Sequence, residues 1–81
     1  MTYENIFDLL VKHTREVVPE LSAHAFTPTD RLKELGANSI DRSEIIICTL
    51  DALQLRVPLT ELAGATNIGE LAELIHAKAR A

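Results

Sequence analysis

Apolar residues recur every three or four positions from residue 3 to residue 18, which predicts a first helix over 3–18. Ile6, Leu10, His13 and Val17 fall on one stripe, widened by Phe7 and Leu9, while Glu4, Asp8, Lys12, Arg15 and Glu16 lie mostly outside it. Thr2 stands where a helix cap belongs. Pro19 ends the segment, because the residue before a proline is pushed out of the α region. Residues 19–38 then form a long connection. Thr27-Pro28-Thr29-Asp30 is a turn signal. Asp30 to Leu35 predicts a single helical turn with Leu32 and Leu35 inward, stopped by Gly36. A loop this long in a small domain needs apolar anchors or a function. Leu21, Phe26, Leu32 and Leu35 are the candidate anchors.

A second helix starts at Asn38 or Ser39 and runs to about Leu53 or Gln54. Asn38 followed by Asp41 resembles a capping box with Asp in place of Glu. The apolar residues of this helix (Ile40, Ile45, Ile46, Ile47, Leu50, Leu53) are too widely spread for one buried stripe. Part of the Ile40, Ser43, Ile47 line should therefore stay exposed, as a candidate contact patch. Pro58 opens a short third helix, Leu59 to Ala63, closed by Gly64. Asn67 with Glu70 predicts a capping box for a last helix, whose inner face is Ile68, Leu71, Ala72 and Ile75. The expected fold is an all-α four-helix bundle with a short third helix and a long loop between helices 1 and 2. One domain covers residues 1–81.

Composition narrows the functions this bundle can serve. Net charge is −4, and residues 39–75 carry six acids (Asp41, Glu44, Asp51, Glu61, Glu70, Glu73) against Arg42 and Arg56. Nucleic-acid binding needs clustered Lys and Arg, so that class is rejected. An acidic surface instead suits partners with basic docking faces. The apolar run Ile45 to Leu50 is far too short to span a bilayer, and no basic segment precedes an apolar stretch as in a signal peptide. A cytoplasmic monomer without membrane contact is the expectation. Cys48 is the single cysteine, so no internal disulfide forms; it is read as a buried, inert thiol. His13, His24 and His76 sit on separate segments without acidic partners at telling spacing. They are read as surface or boundary residues, with neither a metal site nor a catalytic group.

Chemistry concentrates in Leu35-Gly36-Ala37-Asn38-Ser39-Ile40-Asp41-Arg42. This order places the Ser39 hydroxyl at the mouth of a helix, where backbone N–H groups and the helix dipole favour a phosphate. Two uses of that serine compete: a plain cap, or an attachment point. No Gly-x-Ser-x-Gly elbow surrounds it, so a hydrolase nucleophile has no support.

The arrangement Asp30-x-Leu32-x-x-Leu35-Gly36-x-x-Ser39-Ile40-Asp41, with Glu44-Ile45, Val57-Pro58 and Ile68-x-x-Leu71, resembles an acyl carrier protein over almost the whole chain. The resemblance implies that Ser39 carries covalent 4′-phosphopantetheine, installed from coenzyme A by a phosphopantetheinyl transferase. The chain would then be a carrier and not an enzyme. The family pattern has Asp directly before the serine, and here Asn38 stands there. The cap survives this change, since Asn caps as well as Asp. One negative charge beside the site is lost, which narrows the transferases able to recognise it.

A narrower resemblance rests on Gly36 to Ile45 and on Glu61-Leu62-Ala63-Gly64-Ala65-x-Asn67-Ile68-Gly69-Glu70-Leu71. These stretches are similar to the free-standing donor carriers of polyketide β-branching cassettes. That likeness implies an acetyl thioester delivered to an HMG-CoA-synthase-like enzyme, loaded by acyltransferase or ketosynthase-like enzymes. Ile40, Asp41, Arg42, Glu44, Ile47, Asp51 and Glu61 are the candidate partner-docking residues. A carrier for fatty, ordinary polyketide or aminoacyl groups, and an unmodified helical adaptor, are the alternatives.

Overall fold

A computed structural model describes residues 2–80. Three α-helices build it: α1 (Tyr3–Val17), α2 (Ser39–Ala52) and α3 (Ile68–Arg80). Short 3-10 helices cover Pro19–Leu21 and Leu59–Leu62. The all-α class holds, but the expected four-helix bundle is a three-helix one. The segment taken for a third helix is a 3-10 turn of four residues between Pro58 and Gly64, held by bonds such as Glu61 N–H to the Pro58 carbonyl at 3.0 Å. Four residues cannot offset the cost of nucleating an α-helix, so the tighter helix wins there.

Helix α1 packs against both α2 and α3. Its apolar stripe meets theirs in a core of Ile6, Leu10, Ile45, Leu50, Ile68, Leu71, Ala72 and Ile75. The loop supplies Leu32 and Ala37 to the same core, and the 3-10 turn supplies Leu62. Leu21, Phe26 and Leu35, expected as anchors, are half-buried. Thr2 caps α1 by accepting the Asn5 N–H at 3.1 Å.

Both segments that flank the start and end of α2 close in the same way. Gly36, at φ 101°, follows the Leu32 turn; its N–H bonds the Lys33 carbonyl, and the Ala37 N–H bonds the Leu32 carbonyl. This is a Schellman closure, with Leu32 and Ala37 as its buried apolar pair. Helix α2 ends likewise: the Gln54 N–H bonds the Asp51 carbonyl and the Leu55 N–H bonds the Leu50 carbonyl. Here the left-handed position is Gln54, at φ 56°, and not glycine.

The long loop also seals the start of α3. The Ile68 and Gly69 N–H groups donate to the Asp30 and Pro28 carbonyls at 2.9 and 2.8 Å. This approach needs glycine at 69, since a Cβ there would stand 2.9 Å from Pro28. Asn67 caps the helix by accepting the Glu70 N–H at 2.7 Å. The expected reciprocal bond is displaced: the Glu70 carboxylate accepts from the Thr66 N–H and hydroxyl instead of from Asn67. Those two bonds hold the Glu70 carboxyl below its ordinary range, the backbone one most.

Two histidines depart from the expectation of surface or boundary residues without acidic partners: His13 in its burial, and His24 in having an acidic partner. His13 is buried, with Nδ1 2.8 Å from the Thr49 hydroxyl on α2. That hydroxyl donates to the Ile45 carbonyl at 2.9 Å, which assigns the Nδ1–H as donor to Thr49. His24 lies 3.0 Å from the Asp30 carboxylate, which also takes the Thr27 N–H at 2.8 Å. Arg15 on α1 closes this clasp by donating to the His24 carbonyl and covering the Phe26 ring. The Thr27 N–H first, and His24 second, hold the Asp30 carboxyl below its usual value. Cys48 is half-buried and not fully enclosed, because it lies at the margin of the spread apolar surface of α2.

Three outcomes test these packing arguments. Gln54→Gly should raise stability in urea unfolding by about 0.5–1 kcal/mol, the left-handed strain of Gln less the extra unfolded-chain entropy of Gly. Thr49→Val should lower it by about 1–3 kcal/mol, because the buried His13 donor loses its acceptor. Asp30 stabilises the fold while it is ionised and its folded pKa is depressed, so its contribution is whole above the ordinary carboxylate range. As pH falls through the lowered pKa that contribution disappears, and Asp30→Asn should flatten the acid limb of a pH-stability curve.

Candidate functional site

Ser39 is the first residue of α2 and is exposed. The helix cap is made by its neighbour. The Asn38 side chain accepts the Asp41 N–H at 2.7 Å, and the Asp41 carboxylate accepts the Asn38 N–H at 3.2 Å. This reciprocal box leaves the Ser39 hydroxyl out of the cap, so the plain-cap reading of Ser39 falls. Helix α3 has its first donors covered by loop carbonyls, whereas the first turn of α2 faces water.

Ser39 opens onto a groove of about 890 Å³. Its apolar floor includes Leu32, Ile46, Leu62 and Leu71, and its rim carries Arg31 and Arg42. The α2 wall and the Leu59–Leu62 turn face each other across it. An exposed hydroxyl, uncommitted helix-end donors and open space beside them fit a phosphodiester linked to a long arm.

Of the seven candidate docking residues, four stand in one stripe. Ile40, Glu44, Ile47 and Asp51 are all exposed at helical spacing along the outer face of α2. Ile40 is 75% exposed and Ile47 53%, high values for isoleucine in a chain whose other isoleucines are buried or half-buried. The expected exposed line is therefore present, with Ser43 half-buried beside it. Asp41 is half-buried and committed to the cap. Arg42 is half-buried, its Nη1 donating to the Ala37 carbonyl at 2.7 Å. Glu61 lies on the Leu59–Leu62 turn, outside α2, and is ion-paired with Lys78 of α3. Arg42 was legible as a site residue, but the place of Arg31 on the rim was not, because nothing local to Arg31 links it to residue 39.

Among the described residues no helix is long and apolar enough to cross a membrane. Comparison with known proteins agrees with the geometry. A family model described as "Phosphopantetheine attachment site" matches residues 9–75. The chain is 50% identical over 78 residues to the polyketide biosynthesis acyl-carrier-protein AcpK of Bacillus subtilis (strain 168), covering 96% of this chain and 95% of that protein. It also superposes, with a TM-score of 0.92 and 49% identity, on a chain of the crystal structure of the curacin biosynthetic pathway HMG synthase in complex with acetyl donor-ACP. That match covers 96% of this chain and 100% of the other. An exposed hydroxyl freed from capping duty, in a chain matched at this level end to end, has one explanation: the protein belongs to the phosphopantetheine-attachment family and is an acyl carrier protein, a carrier and not an enzyme, with covalent 4′-phosphopantetheine as its cofactor.

Proposed function

We propose that Ser39 is the attachment point and that this carrier donates an acetyl group to an HMG-CoA-synthase-like enzyme in polyketide β-branching. The observation that carries the first part is the Asn38–Asp41 box, which holds the helix start without using Ser39. The second part is supported by the likeness, over nearly the whole chain, to a protein crystallised as part of an HMG synthase complex with acetyl donor-ACP.

When bound, the arm supplies a terminal thiol that holds the acyl group as a thioester. The protein's own work is to fix, present and identify. Ser39 provides the oxygen for the phosphodiester, and the free N–H groups of the first α2 turn favour its charge. The stripe of Ile40, Glu44, Ile47 and Asp51 presents two apolar side chains alternating with two acids. A partner with an apolar cleft edged by Lys or Arg fits it, in the small, quickly broken interface a carrier needs. Arg42 in the first turn of α2 and Glu61 on the Leu59–Leu62 turn add to its identity. A phosphopantetheinyl transferase and the acyltransferase or ketosynthase-like loading enzymes would read the same face. We place the protein as a monomeric carrier domain over residues 1–81 in the cytoplasm, where coenzyme A and the transferase meet it.

Incubation with coenzyme A and a transferase should add the mass of the arm to the wild type and nothing to Ser39→Ala. Mass gain on Ser39→Ala would overturn the site. The acetyl-loaded carrier should pass acetyl to the cysteine of the synthase. Ile47→Ala should slow that transfer about fivefold to tenfold, as expected for an apolar anchor costing about 1–1.4 kcal/mol. Loading without transfer would leave a carrier for another acyl class.

A further inference from the structure

We infer that Arg42 is the positioning residue of the arm: its guanidinium holds the phosphodiester at Ser39 and lays the arm along the groove toward Leu62. This rests on Ser39 being the attachment point.

Arg42 follows Ser39 by three positions, so both lie on one face of α2 with about 5–6 Å between their Cβ atoms. Helical side chains lean toward the N-terminus, and Arg42 goes further. Its Nη1 reaches back to the Ala37 carbonyl, which precedes both the cap and Ser39. That bond ties the guanidinium to the mouth of the helix, and Arg42 and Ser39 line the same groove. Arg42, Ser43 and Ile46 continue the groove wall from there.

The charge balance points the same way. Arg31 is paired with Glu34, Lys78 with Glu61, and Arg15 is engaged by the His24 carbonyl and the Phe26 ring. Arg42 bonds one neutral carbonyl, and among the described residues no carboxylate stands within 4 Å of it. A guanidinium carries five N–H donors in a rigid fork suited to phosphate. One is spent on Ala37. The rest have no partner among the described residues and are available to the negative charge that the modified protein acquires at Ser39. A phosphodiester at Ser39 would give this half-buried cation an anionic partner. A charge-assisted bond there adds to the helix-end donors and gives the arm a direction, which those donors alone do not.

The test compares unmodified and modified protein, each verified by intact mass. The side-chain Nε–H resonance of Arg42 should shift, and its exchange with water should slow, when the arm is added to the wild type. In modified Arg42→Gln, the phosphorus resonance should move toward that of free 4′-phosphopantetheine. Nuclear Overhauser contacts between the arm's geminal methyl groups and Ile46 or Leu62 should be lost. Arg42→Lys, which keeps the charge without the fork, should restore the phosphorus shift in part. An Arg42 resonance indifferent to modification, or a modified Arg42→Gln with the wild-type phosphorus shift and contacts, would leave Arg42 as a tie to Ala37 alone and overturn the proposal. Should Arg42→Gln resist the transferase, the wild-type comparison decides unaided. Absence of modification at Ser39 in the wild type would instead overturn the attachment reading.

Discussion

The reciprocal bond pair between Asn38 and Asp41 is the constraint on which the functional end of this protein depends. A helix start needs its first donors satisfied, and the usual device is a serine, threonine, aspartate or asparagine side chain. Had Ser39 served as the cap, its hydroxyl would be turned into the helix. Moving that task one residue back frees the hydroxyl while the helix start stays rigid. Asn at position 38 does this without adding a second carboxylate to the helix mouth, where Asp41 already supplies one.

The rest of the fold holds this helix start in place. The Schellman closure at Gly36 delivers the chain to Asn38 in a fixed direction, and Leu32 and Ala37 nail that closure to the core. Farther back, the Arg15, His24, Phe26 and Asp30 clasp ties the loop to α1. The Asp30 and Pro28 carbonyls tie it to α3. A loop with so many attachments forms a wall and not a tether, and that wall is one side of the groove below Ser39. Across the bundle, the His13–Thr49 bond sets α1 against α2 from within. The outer face of α2 is thereby left free to be apolar and acidic at once, a composition that would be costly in a core and suits brief contact with a partner.

Local chemistry was legible where cause and effect lie within one turn. The Asn38–Asp41 box, the Gly36 stop, the cap at Thr2 and the stripe of Ile40 and Ile47 all rest on spacings of three or four residues, and all were read before the structure. The resemblance to carrier proteins drew on the Asn38–Asp41 segment and on short motifs spread over almost the whole chain. The Leu59 segment was misjudged because Pro58 and Gly64 mark its limits in either helix type. Only the number of residues between them, weighed against nucleation cost, separates a 3-10 turn from an α-helix. At the end of α2 the left-handed residue was hidden, since Gln54 gives no sign of the conformation glycine would have announced.

Charge and polarity joined across distance were not legible. His13 and Thr49 are 36 positions apart, and their bond exists only because two helices cross there. His24 and Asp30 are near in sequence, but a loop without periodicity does not reveal which side chains it turns toward each other. Glu61 reads in the sequence as part of one acidic field with α2, while the fold pairs it with Lys78 of α3. The starts of the long helices and the hydroxyl at the mouth of α2 are consequences of the near neighbours of each residue along the chain, so the chain alone suffices to state them. Which cations stand beside Ser39, and what they are free to bind, depends on how the loop and α2 fold back on one another, because a charge is defined by everything within a few ångströms of it, whatever its place in the sequence.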